Sequence, residues 1–459
     1  MLNKKFLIWI SFLSFIIFFF CSILRHNLYH SNAWDLGIFD QAIYLISIGK
    51  VPVSSFLDFS ILGDHAAFIL YPIALLYKIY PSVYWLFAVQ SLSLSICLIP
   101  IFYLAKLRNL SEQKIKLAIL SYLLYPLIFN INLFDFHPDV IALPAIFSAI
   151  LAAELNNLVV FISAIAIILS CKAVFSLNII GLGVWLIFFL KKKWAGFWAI
   201  MLGLFWFIIS TQVVIPKLGG TNAEITRHLN RYSYLGDSFT EILFNLIVEP
   251  SILFQGIFSL ANLEYLVLLL IPISWSISIK QAHPLVAAIP ALTMNLLSDS
   301  STQKNLIHQY SLFVVPYLVL IVINSLSQDS NWLKNKKIIA AWILISFLAL
   351  AKFGYFGSLY LSTLDTKKAI DRSKQLIPKQ VNILTNSAIA PHLSHREIVK
   401  LPEQENMNLD RLDYVLLDSR HPGFASSHSI IVRLIARIQN QSNWQLVYQR
   451  DDVYLFKKK

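Results

Sequence analysis

A few short stretches of this chain hold nearly all the side chains able to do chemistry. The first opens Arg25-His26 and continues Trp34-Asp35-Leu36-Gly37-Ile38-Phe39-Asp40-Gln41, with Asp58 and Gly63-Asp64-His65 further on. A carboxylate here could take a proton from an attacking hydroxyl or hold a hard cation. On a helix starting at Leu36, Asp35 stands at the N-cap and Asp40, five residues on, projects about 140° away, so the spacing does not make the two converge. Asp35 therefore reads either as a capping residue or as a general base or metal ligand. Asp40 reads either as the solvated face of an interfacial helix or as a second catalytic carboxylate. Asp64 and His65 are candidate substrate contacts of the same loop.

The second stretch is Asp135-Phe136-His137-Pro138-Asp139. Its His-x-Asp spacing could supply two ligands, His137 and Asp139, to a divalent cation such as Mg²⁺ or Mn²⁺, or it could be a polar turn leading into the next helix. Lys172 lies between two apolar runs, where an ammonium group is costly unless it reaches water or an anion. In Arg227-His228-Leu229-Asn230-Arg231-Tyr232, a helix would set both guanidinium groups on one face, a geometry that suits phosphate capture. The alternative is a basic membrane anchor with Tyr232 and Tyr234 in the headgroup layer. His308-Gln309-Tyr310 either orients a sugar or is a satisfied interface group.

These residues need elements to position them, and the composition says which kind. The chain has 459 residues, 57% hydrophobic and 14% charged, with a mean hydropathy of +0.65. A membrane is the solvent that suits it. Apolar runs near 6–24, 83–105, 117–134, 139–155, 157–171, 173–190, 194–213, 252–278, 284–298, 310–327 and 338–357 predict about 11 spans, within a range of about 10–13. The first follows Lys4-Lys5 but lacks a small-x-small cleavage site, so it reads as a retained anchor.

The net charge of +12 gathers in short loops such as Lys106/Arg108/Lys114/Lys116 and Lys191 to Lys193, a positive-inside pattern rather than a nucleic-acid footprint. The N-terminus is then cytoplasmic, and 25–82, 135–138, 214–251, 299–309 and the tail face outward. That parity requires Ala66 to Tyr80, short and interrupted by Pro72, to lie at the interface rather than cross. The three cysteines sit apart in apolar runs and read as core residues. Residues 359–459 change character: runs at 381–384, 414–417 and 453–456 read as strands and 429–439 as an amphipathic helix, giving a small α/β domain after a membrane domain at 1–358.

The order Asp35-x-Gly-x-Phe-Asp-Gln41, Gly63-Asp64-His65, Phe136-His137-Pro138, Arg231-Tyr232 with Gly236, His308-Gln309-Tyr310 and Asp413-Tyr414-Val415-Leu416-Leu417-Asp418 resembles an uncharacterised bacterial family of predicted multi-pass membrane proteins. That family, carried as a domain of unknown function, is grouped with the GT-C glycosyltransferases, and the resemblance covers nearly the whole chain. It implies a GT-C fold in the bacterial inner membrane, a catalytic carboxylate in the loop after the first span, and a polyprenyl-phosphate-linked sugar donor with a glycan, lipid or protein acceptor. Asp35 matches that carboxylate, and His65 with Tyr71-Pro72 is similar to the His/Lys-Pro-Pro-Leu segment of many GT-C enzymes. Arg227, Arg231 and Lys172 would hold the phosphate. One departure is Lys172-Ala173-Val174, where the resemblance implies Lys-Glu-Asp. The missing acids favour a rival reading, a non-catalytic envelope assembly protein. A lipid or polysaccharide transporter, the other rival, would carry charges in mid-span and an internal repeat.

Overall fold

A computed structural model describes residues 4–220 and 229–459. Helix α1 (Lys4–Asn27) has 24 residues, about 36 Å at ~1.5 Å per residue, enough to cross ~30 Å of hydrocarbon. Its Ile8, Trp9 and Phe20 side chains are exposed, as lipid contact requires. Among the described residues three more helices are long and apolar enough to cross alone: Tyr84–Leu107, Lys193–Gly219 and Gln309–Ser327. A fifth candidate, Glu112–Leu123 with Pro126–Asn132, is bent by 44°. The bend has a local cause: Pro126 offers no amide hydrogen to the helix, and Tyr125 before it is extended. Helices also fill the other stretches where spans are expected, but they are shorter, among them Leu158–Cys171, Phe175–Phe188 and Leu285–Leu297.

The run 157–190 is two helices broken at Lys172, whose backbone is extended. Small residues let the second pack tightly: a Cβ on Gly183 would lie 2.7 Å from the Gly196 carbonyl oxygen of the next helix. The core of the bundle is Gln309–Ser327, 89% of whose most apolar window is buried, against 22% for α1.

The loop after α1 is built rather than irregular. A π-helical turn (Ala33–Gly37) runs straight into α2 (Ile38–Ser47), then a hairpin of β1 (Val53–Ser54) and β2 (Phe59–Ser60) leads to α3 (Ile61–His65) and α4 (Leu70–Ile79). At ten residues α4 is too short to cross.

The C-terminal unit is a five-stranded mixed sheet of β3 (Ile383–Thr385), β4 (Val399–Lys400), β5 (Tyr414–Asp418), β6 (Trp444–Arg450) and β7 (Val453–Lys458), in the order β4-β3-β5-β7-β6. Every residue of the central strand β5 is buried, which is why it reads as an unbroken apolar run ending in Asp418. Helix His428–Gln439 covers one face with Ile431, Leu434, Ile435 and Ile438, spaced as one helical stripe. Helix Leu364–Gln375 covers the other only in part. Tyr29, Ala33 and Phe56 of the loop after α1 complete it, joining Ile383, Leu416 and Leu455 in a single apolar cluster.

Candidate functional site

The start of the loop after α1 is held by a buried ion pair. Arg25, in the last turn of α1, pairs with both oxygens of Asp135, and Asp135 Oδ2 also accepts from the Asn32 amide at 2.9 Å. Asp135 sits at φ +132°, a conformation non-glycine residues adopt only when the surroundings enforce it. Asn32, not Asp35, caps the following turn, its side chain accepting from the Trp34 amide at 3.0 Å. Asp35 is thereby free of the capping role: its carboxylate is 22% exposed and lies 3.4 Å from His137 Nε2.

From that pair a row of rings leads outward. His137 stacks on Phe134 at 5.5 Å, and His308 meets Phe134 edge-on at 4.5 Å. The His308 ring is fixed by Asn305, whose Oδ1 takes two backbone amides and therefore accepts from Nδ1 at 2.9 Å. Burial lowers the His308 pKa below its ordinary value, against the pull of the Asp35 charge, so the neutral ring leaves Nε2 as an acceptor. Arg231 lies over Tyr310 at 5.2 Å and closes the row with a cation. On the other side Phe39 touches both His137, at 5.9 Å, and His65, at 6.0 Å; His65 Nδ1 lies 3.3 Å from Asp64.

Asp35, His137, His308, Arg231 and, behind Phe39, His65 with Asp64 thus share one region. Tyr232 borders it but turns its hydroxyl to the Met294 carbonyl at 3.0 Å. Asp40 does not join them. It is fully buried rather than on a solvated face, and its oxygens are taken by Tyr77, Ser394 and His395. Lys172 and Asp139 neutralise each other at 3.1 Å, both buried. Arg227 lies outside the described residues. The proposed cation ligands fit poorly: Asp139 is spent on Lys172, and no three His, Cys, Asp or Glu side chains converge among the described residues. The sequence reading missed the Arg25–Asp135 clamp, although opposite charges at the ends of two apolar runs were a usable signal. Nothing local pointed to Ser394 or His395.

A bundle of apolar helices, an acidic loop folded behind its first helix and an α/β unit resting on that loop define a polytopic membrane protein of GT-C-like architecture. The chain belongs to the family described as predicted membrane protein (DUF2079), which matches residues 25–455. No curated protein matches it. Among solved structures it resembles ArnT from Cupriavidus metallidurans bound to undecaprenyl phosphate, with a TM-score of 0.56 and 10% identity over 99% of this chain and 98% of that one. The same protein in the apo state gives 0.54 at 10% identity and equal coverage. The GT-C-like fold expected from the motifs is therefore present along the whole chain.

Proposed function

We propose that this protein is a GT-C glycosyltransferase that moves a sugar from a polyprenyl-phosphate donor to an extracytoplasmic acceptor, with Asp35 as general base. The observation that carries the reading is the Asp35 carboxylate: reachable from solvent, released from capping by Asn32 and oriented by His137 at 3.4 Å. Support for the donor comes from the fold shared with a protein crystallised with undecaprenyl phosphate.

A lipid phosphate is a good leaving group, so the protein's task is to orient an acceptor hydroxyl, accept its proton and hold the departing phosphate. Asp35 takes the proton. His137 fixes the carboxylate, and His308 Nε2 accepts a hydrogen bond from the acceptor. Arg231 holds the phosphate. Lys172, already paired with Asp139, adds no net charge there. No step is assigned to a metal, because among the described residues Asp139 is taken by Lys172 and no three ligand side chains converge.

The basic loops set the orientation in this reading: a bacterial inner membrane, the N-terminus cytoplasmic, and a soluble unit at 359–459 outside, beyond a membrane domain at 1–358. Asp35→Asn tests the assignment. Removing a general base slows transfer by about 10²–10⁴-fold while thermal stability stays near that of the native protein, since Asn32 and not Asp35 caps the turn. The measurement is host glycan composition with the variant as the sole copy. Normal product would refute the role of Asp35 and leave the non-catalytic assembly reading.

A further inference from the structure

Asp40 is a fully buried, hydrogen-bonded carboxylate of the loop after α1, yet it stands outside the candidate site. The Tyr77 hydroxyl donates to one oxygen and the Ser394 hydroxyl to the other, and His395 Nε2 lies 3.2 Å from Oδ1 and 3.1 Å from Oδ2. Tyr44 stacks on the His395 ring at 4.8 Å and Tyr77 meets it edge-on at 5.6 Å. Two of the three partners of Asp40 thus belong to one segment of the C-terminal unit.

Three residues earlier the same segment meets the loop differently. His392 stacks on His26 at 3.9 Å, with Tyr29 at 4.3 Å. Its Nε2 is buried without a partner among the described residues. One histidine therefore faces a carboxylate and the other faces a second imidazole.

Both contacts bear on Asp35. Asp40 lies five residues further along the continuous helical stretch that begins at Ala33. At its start, the Ala33 amide donates to the Ser387 carbonyl at 3.0 Å, just before the histidine-bearing segment. Docking of the C-terminal unit therefore holds the Asp35 turn from both sides.

We propose that His395 and His392 form a latch between the C-terminal unit and the outer loop, closed only over a window of pH, with Asp40 as a positioning residue for the Asp35 turn. Its consequence for transfer rests on the reading of Asp35 as base; the latch itself does not. Burial opposes charge on His395, but Asp40 overcomes it and the His395 pKa is raised; burial likewise opposes charge on Asp40, and His395 with its hydrogen bonds holds that carboxyl below its usual range. Burial, His26 and Lys374 push His392 well below its ordinary value. The other titratable or charged groups facing the latch are Tyr44, Tyr77 and Arg396 beside His395, Tyr29 and, on helix Leu364–Gln375, Lys367 beside His392, and Arg25 beside His26.

The signs run opposite ways. The raised His395 contributes fully below about pH 6.5 and loses its contribution as pH rises through the raised value. The depressed His392 contributes fully above about pH 6.5 and loses it as pH falls, because the undocked ring gains a proton the docked ring cannot hold. Docking is therefore tightest near about pH 6.5, each limb falling by at most about tenfold per pH unit.

Hydrogen exchange of the peptide carrying the Ala33 amide reads the latch directly in the full chain in detergent, after correction for the intrinsic pH dependence of exchange. Protection should peak near about pH 6.5 and fall on both sides. His395→Gln should flatten the alkaline limb alone, and Asp40→Asn should do the same. His392→Phe, which keeps the stack, should weaken the acid limb alone, the remainder coming from His26, whose own pKa burial lowers to about 3. A flat native profile, or limbs unchanged in the variants, overturns the latch. An Asp35→Asn variant with normal glycan but a native exchange profile would overturn only the transferase reading.

Discussion

Asp135→Asn tests whether the Arg25 clamp sets up the loop after α1. Asparagine keeps the shape and keeps an oxygen for the Asn32 amide, now 2.9 Å away, and it tolerates positive φ about as well as aspartate. The substitution therefore removes little besides a charge. That charge matters because the Asp135 side chain is 0% exposed and that of Arg25 10% exposed, and because Arg25 Nε already lacks a partner among the described residues. Removing one member of a buried pair costs about 3–5 kcal/mol, chiefly the penalty of the unpaired charge left behind. Set against a net stability of about 5–15 kcal/mol, that is a large loss. Thermal unfolding in detergent, followed by near-ultraviolet circular dichroism, should show it. Adding Arg25→Met removes the orphaned cation and should restore at least half. A single variant within about 0.5 kcal/mol of the native protein, or a double variant worse than the single, would refute the argument.

The same reasoning makes Lys172→Met costly, by about 3–5 kcal/mol, since it leaves Asp139 buried and unpaired. Adding Asp139→Asn should recover most of the loss in the same melt, and failure to recover would mean that Lys172 acts through another contact. Arg231→Ala should weaken binding of a fluorescent polyprenyl-phosphate probe by about 10–100-fold, the worth of a charge-assisted hydrogen bond. Unchanged titration curves would return Arg231 to the role of an interfacial anchor.

Much of the architecture was legible because it rests on local physics. Apolar run length marks where helices form, as α1 and Gln309–Ser327 show. A short unbroken apolar run and a helical stripe mark the central strand and a helix of the C-terminal unit, at Tyr414–Asp418 and His428–Gln439. The place of Asp35 in the turn behind the first span was legible too. Its cap was misplaced because the turn begins at Ala33, three residues before Leu36, under the pull of the Asp135 clamp.

The pairing of charges was settled by the tertiary structure alone. Asp40 and His395 are 355 residues apart, Lys172 and Asp139 33, and Arg25 and Asp135 110. Helical and strand periods report which face a residue occupies within its own element. Which helix ends meet, and which buried carboxylate finds which cation, follows from packing the whole bundle. A partly exposed carboxylate and one locked into an interface therefore look alike in Asp35-x-Gly-x-Phe-Asp40, and only the fold separates them.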